Sequence, residues 1–346
     1  MSESPDARAR RAGVVAALVL AACYAATAAR DVTFWDAGEF ATAIGTWGIP
    51  HPPGTPLHVM LGRAVLLVLP GATPVTAGVV LSVLASAAAG GVAAWTMARA
   101  IGRTRTGIAA GVCAGAMGSV WLNATEVEVY GVALACVAAQ WLCAWRAHVH
   151  DDDRARAATC TVAALALPLH LSALVPAPDG PVRWRARIAG GGCRFAVALA
   201  STGRLGAAAA VLALVALAGR VAGGTLRWLP RAALGTTLAM TAVLVLWLRA
   251  RHAPWLAQGD PSTWERFVAV VAREQYAVAG PWPRRAPWWL QLGNVAQWAD
   301  WQVLLSVWND VTPHPVRTTG TVLMALLGAL GVRAHWRAHR ATARAW

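Results

Sequence analysis

Residues 75–98 read VTAGVVLSVLASAAAGGVAAWTMA, without one charged side chain. A helix rises about 1.5 Å per residue and needs about 20 apolar residues to cross the hydrocarbon of a bilayer. This stretch is long enough, and its Ala and Gly content suits close packing against other helices. Apolar runs of similar length lie on either side, at 12–29, 106–122, 129–145, 157–177, 205–221, 232–248 and 318–334. In lipid a backbone must satisfy its own hydrogen bonds, so each run is expected to be helical. The fold expected is an all-α integral membrane protein. It is a single transmembrane domain over 1–346, a polytopic helical bundle of about eight transmembrane helices. Residues 56–70, PLHVMLGRAVLLVLP, are interrupted by His58 and Arg63 and closed by Pro70. They read as a helix lying at the interface and not as a span.

The composition agrees. Of the 346 residues 57% are hydrophobic and only 13% charged, against about 25% charged in an ordinary soluble domain. The net charge of +14 does not imply nucleic acid, because the arginines form no single basic stripe. They sit at the ends of apolar runs: Arg8, Arg10 and Arg11; Arg99, Arg103 and Arg105; Arg333, Arg337 and Arg340. Lysine is absent. The six cysteines form no CxxC pair and lie mostly in apolar runs, so they read as small core residues. The N-terminal arginines followed by Gly13 to Ala29 resemble a signal peptide. No convincing cleavage site follows, and a retained first span is expected.

Arginine placement orients the bundle. Loops at 99–105, 146–156 and 222–231 and both termini carry arginine and are expected to be cytoplasmic, in a cell (inner) membrane. The outer loops are then 30–74, 123–128, 178–204 and 249–317. The loop 178–204 contains five arginines and resists the rule. A further span near 188–203 would reverse everything downstream.

The unusual chemistry lies in these outer loops. The first, 30–74, holds Asp36 and Glu39, three apart and so on one helix face. Paired carboxylates serve as a general base with its positioning partner, or as metal ligands; a solvated polar turn explains them equally well. His51-Pro52-Pro53-Gly54 follows, a rigid bend in which His51 can contact phosphate or sugar, or simply start a helix. Glu126 and Glu128 stand where the third span emerges, as functional acids or as headgroup-level polar groups. His170, after Pro168, is an ionisable residue at the outer end of the fifth span, functional or a satisfied core histidine. The last outer loop, 249–317, is rich in Trp and Arg. Its tryptophans suit an interfacial belt, and Arg273, Arg284 and Arg285 are candidates to neutralise a phosphate. Interfacial helices are expected in this loop as in the first.

The ordered set Asp36-Ala37-Gly38-Glu39, His51-Pro52-Pro53-Gly54, Glu126-Val127-Glu128-Val129-Tyr130, His170-Leu171-Ser172 and Arg273-Glu274-Gln275-Tyr276 resembles a bacterial membrane family. Its eukaryotic relative is the protein O-mannosyltransferase of IPT/TIG domains, and both belong to the GT-C superfamily of polytopic glycosyltransferases. The resemblance extends from about residue 30 to about residue 305. It implies a polyprenyl-phosphate-linked sugar as donor and an acceptor protein or glycan. It also implies a catalytic acid in the first outer loop, which maps onto Asp36 with Glu39 beside it. Such enzymes commonly invert the anomeric centre. His51, Glu126, Glu128, Tyr130, His170, Arg273, Gln275, Tyr276, Arg284 and Arg285 then fall to substrate binding. No cofactor is implied, and a divalent metal is left open. Two other functions stay in view. A transporter would place its ionisable residues near the midplane in inverted repeats, and no repeat is visible. An inactive scaffold would explain the short chain and the Arg-rich segment 181–204.

Overall fold

The computed structural model describes residues 4–174, 184–222, 226–276, 286–303 and 315–338. Among these residues the chain is all-helical, and its one β-like pairing is an isolated bridge between Ile49 and Ala257.

The long helices α1 (Pro5–Thr27), α4 (Pro74–Ile101) and α5 (Thr104–Gly115) pack through glycine. A Cβ at Gly13 would lie 3.0 Å from the Gly91 carbonyl oxygen, and one at Gly111 would lie 2.5 Å from that of Gly90. Only glycine permits that backbone approach, the device by which helices associate where lipid is as apolar as leucine. α5 bends by 71° into α6 (Gly118–Thr125). At the bend the Tyr24 hydroxyl donates to the Gly115 carbonyl at 2.7 Å, satisfying an oxygen the broken helix leaves free. α7 (Val129–His150) returns along α4, and α8 (Asp153–Ala164) follows it. Three apolar clusters result among the described residues, a small one of Ala9, Ala12 and Ala98 and two larger cores. One is built on α1, α2 (Ala37–Thr46), α4 and the start of α7. The other is built on α8 to α13, which include α10 (Leu205–Ala222), α11 (Leu229–Thr241), α12 (Leu244–Ala250) and α13 (Trp264–Ala272).

Among the described residues, five helices are long and apolar enough to cross a membrane, or six if the bent pair α5–α6 counts as one span. The sequence expectation was about eight, and the difference has local causes. The run 157–177 stays helical only to Ala164 and then becomes turns and a short 3-10 segment, Leu171–Leu174. The run 205–221 lies in the apolar helix α10, whose described side chains, Leu205–Val221, place it among the shorter apolar helices. The stretch expected as an Arg-rich loop contains a helix instead, α9 (Trp184–Ala200), with Cys193, Ala196, Val197 and Ala200 buried in the second core. A Cβ at Gly203 would meet Val268 of α13, whereas one at Gly219 would meet Pro230, so α10 leads away from the α13 end and α11–α12 returns to it.

α3 (Pro56–Val68) is the short helix expected at 56–70. Of the two interruptions of its apolar pattern, Arg63 Nη1 donates to the Gly45 carbonyl at 2.6 Å, whereas His58 is fully buried with both ring nitrogens unpartnered among the described residues. α14 (Trp288–Trp301) supplies the helix expected in the last loop, with Trp288, Trp289 and Trp298 exposed. It pairs with α15 (Pro315–Ala338) through a buried Arg317–Asp300 ion pair at 2.6 Å.

At one end of the bundle, three connecting segments are tied together. The Ile49 N–H donates to Leu256 O at 2.7 Å, the Gln258 N–H to Ile49 O at 3.0 Å, and Arg249 Nε to Trp47 O at 2.7 Å. The Leu57 N–H donates to Pro168 O at 2.9 Å. These bonds hold the loop after α2, the turn after α8 and the segment before α13 as one layer.

Candidate active site

A cavity of about 180 Å³ opens in that layer. Asp36, Phe40, His51, Thr55, Tyr130, His170, Arg273 and Tyr276 line it, with Pro52, Pro53 and Val129. Residues far apart in sequence therefore meet at one place.

Asp36 is the N-cap of α2, and Glu39 lies in that helix's first turn. Phe40 turns inward, 1% exposed, and its ring meets those of His51 and His58 at 5.7 and 5.1 Å. The bend after α2 runs through Gly54 at φ 81°, where a Cβ would sit 2.6 Å from a Leu246 methyl. Glycine alone fits this conformation in this space. The Pro52–Pro53 peptide is cis. The bend carries His51 back over Glu39. Glu39 Oε1 accepts the His51 N–H at 2.8 Å and the Gln258 side-chain amide at 2.6 Å, and Oε2 meets His51 Nδ1 at 2.6 Å. An ionised carboxylate can only accept, so Nδ1 carries the proton. His51 Nε2 is then the free nitrogen, and it faces Asp36 Oδ2 at 3.8 Å. One oxygen atom of a ligand can lie within hydrogen-bond reach of both.

Asp36, Glu39 and His51 bring one ligand atom each within 4.8 Å of one another, the one such trio among the described residues. Both Glu39 oxygens and His51 Nδ1 are already committed to hydrogen bonds, so this wiring suits proton transfer better than cation binding.

The other part of the cavity is cationic and aromatic. Arg273 caps α13 in a left-handed conformation, and its Nη2 is buried without a hydrogen-bond partner among the described residues. Burial draws its pKa below the usual value, so the fold holds this charge at a cost that a bound anion would offset. His170 Nδ1 accepts the Ser172 N–H at 3.2 Å, which leaves its other nitrogen as an N–H donor. The Tyr130 ring meets that of His170 edge-on at 5.0 Å.

Of the residues singled out in the sequence, Asp36, His51, Tyr130, His170, Arg273 and Tyr276 line the cavity, and Glu39 stands directly behind His51. Gln275 is exposed and takes no part in the wall. Glu126 accepts from the Thr33 hydroxyl at 3.2 Å and is not a wall residue. Arg284 and Arg285 lie outside the described residues. Gln258 and Thr55 gave no sequence signal; they matter only because of what the chain folds against.

Glu128 caps α7 beside the cavity, 9% exposed, with Oε2 unpartnered among the described residues. Burial first, and then the Asp36 charge, push its pKa from the ordinary 4.5 to about 7. The folded state thus holds a proton that the unfolded chain releases. The stability this contributes is complete below about pH 4.5 and is lost as pH rises through about 7. Glu128→Gln, which cannot ionise, is expected to flatten the fall in melting temperature between pH 5 and pH 8 that the parent shows in detergent. An unchanged fall would place the titrating group elsewhere.

Residues 36–181 match the family model of the protein O-mannosyl-transferase TMEM260 N-terminal domain. The match covers less than half of the chain, yet it holds every wall residue of the cavity except Arg273 and Tyr276. It bears out the O-mannosyltransferase-like relationship read from the motifs and suggests a glycosyltransferase-like role. No curated protein and no solved structure matches the chain.

Proposed function

We propose that this chain is a GT-C-type membrane glycosyltransferase. In this reading it moves a sugar from a polyprenyl-phosphate donor to an acceptor hydroxyl of a protein or glycan, at the outer face of the membrane. The supporting observation is the pairing, within one small cavity, of the open carboxylate Asp36 with the Arg273 guanidinium, whose Nη2 has no partner among the described residues. Such a transfer needs a base where the acceptor loses its proton and a cation where the leaving phosphate gains charge.

The steps follow from those positions. The acceptor hydroxyl gives its proton to Asp36 while its oxygen attacks the anomeric carbon. The bond from that carbon to the phosphate oxygen breaks, and polyprenyl phosphate leaves with its electron pair against Arg273. A single displacement of this kind inverts the anomeric centre. Glu39 fixes His51 next to Asp36, where Nε2 can share the proton. Tyr130, Tyr276 and the free N–H of His170 supply donors and ring faces for the sugar. Transport is the weaker reading, because the ionisable residues gather in one end layer of the bundle.

The direct test incubates the purified chain with a panel of radiolabelled polyprenyl-phosphate sugars, mannose included, and with hydroxyl-bearing acceptors. Transfer of label from at least one donor, abolished in Asp36→Asn, is the expected result; no transfer from any donor would overturn the reading. The facing of the site has its own test. With both termini cytoplasmic, Ser262→Cys in a cysteine-free background should react with an impermeant maleimide from outside only. Labelling confined to the cytoplasmic side would turn the whole layer, and the donor with it, to the other face.

A further inference from the structure

Thr55 carries a set of anomalies that point one way. It occupies the N-cap of α3, where a threonine hydroxyl normally accepts an N–H from the first turn of its own helix. Here it makes no such bond. Its Oγ1 has no partner among the described residues, although the residue is only 1% exposed. A buried hydroxyl left unmade is unfavourable unless something else satisfies it. Its backbone lies at φ 34°, ψ 51°, a left-handed conformation that a β-branched residue rarely adopts. Strain of this kind persists where the surroundings dictate it, and it gathers at binding sites. Thr55 also lines the cavity, together with Arg273.

The surroundings name the ligand's charge. α3 is 13 residues long, and the positive end of its dipole is at Thr55, although Pro56 carries no N–H and the Leu57 N–H is given to Pro168 O. Arg273 adds a half-buried guanidinium to the same small cavity, its Nη2 without a partner among the described residues. A hydroxyl donor and a guanidinium beside the positive end of a helix dipole suit a phosphate. We propose that Thr55 is a binding residue for a phosphoryl group, its hydroxyl donating to an oxygen of a phosphate that Arg273 also contacts. This rests on the glycosyltransferase reading for one point alone, that a prenyl chain carries the phosphate.

The test is equilibrium binding to the full chain in detergent, with farnesyl phosphate and inorganic phosphate titrated separately. Thr55→Val keeps the branched shape and removes the hydroxyl. It should weaken binding of at least one of the two by roughly tenfold, the lower end for a hydrogen bond to a charged group. Which of them loses affinity tells a lipid-carried phosphate from a free one. Thr55→Ser should restore the binding. The melting temperature of ligand-free Thr55→Val should equal or exceed the parent's, because the variant removes a hydroxyl that had no partner. A structural cap would behave in the opposite way, losing stability and affinity together, and that result overturns the proposal. Unchanged affinity for both ligands in Thr55→Val also overturns it. If Arg273→Ala then still loses binding, the phosphate reading of the cavity stands without Thr55. A parent protein that binds neither ligand removes both.

Discussion

Asp36→Asn should lower turnover by about 10²–10⁴-fold, the range that a positioned general base contributes, while donor affinity stays close to the parent's. The substitution keeps the shape and the helix-capping position and removes the basicity. Asp36 is the carboxylate of the pair that remains open, about half exposed at the wall of the cavity. Glu39 is different in kind. Its oxygens are occupied by His51 and Gln258, so it cannot take a proton from an acceptor without giving up the bonds that hold His51. Glu39→Gln should therefore have the smaller effect, acting through the orientation of His51. Single-turnover rates with a saturating donor separate the two variants. Full activity in Asp36→Asn together with a dead Glu39→Gln would reverse the two roles. Full activity in both would move the base elsewhere, with Glu128 next in line because burial already raises its pKa to about 7.

Much of this was legible in the sequence, and the limits have physical reasons. Long uncharged runs such as 75–98 declare a span by length alone, and the structure gives one helix there, Pro74–Ile101. The period of an apolar run cannot show where that helix breaks. The 71° bend between α5 and α6 depends on Tyr24, which is remote in sequence, satisfying the freed carbonyl. The helix at Trp184–Ala200 was hidden because its arginines masked a small-residue face that the second core buries. The site divides in the same way. Asp36, His51, Tyr130, His170, Arg273 and Tyr276 could be singled out because ionisable and aromatic groups at membrane boundaries are unusual, and the fold brings them to one cavity. Gln258 and Thr55 are ordinary loop residues by composition. Gln258 reaches Glu39 only because the segment before α13 pairs with Ile49, and nothing in a single sequence records that pairing. Glu126 and Gln275 stand in the same motifs as wall residues and yet fall outside the cavity, because adjacent positions in a turn point different ways.

Arg273→Ala should weaken binding of the polyprenyl-phosphate donor by one to two orders of magnitude, since a charge-assisted hydrogen bond contributes about 1.5–3 kcal/mol and 1.4 kcal/mol is a factor of ten. Of the three arginines that the sequence offered for the phosphate, Arg273 lies among the described residues, and it lines the cavity. Its left-handed cap position turns it off the end of α13, and its Nη2 is buried with no partner among the described residues. A half-buried guanidinium in that state gains more from an incoming anion than a fully exposed one does, because part of its water is already gone. Lysine at this position should recover only part of the affinity, for it brings the charge without the planar pair of donors. Titration of the donor into the parent, Arg273→Ala and Arg273→Lys in the same detergent gives the comparison directly. Affinities in the order parent, Lys, Ala fix the phosphate at Arg273, whereas three equal affinities would move it to another cation and leave the half-buried charge of Arg273 a purely structural feature of the α13 cap.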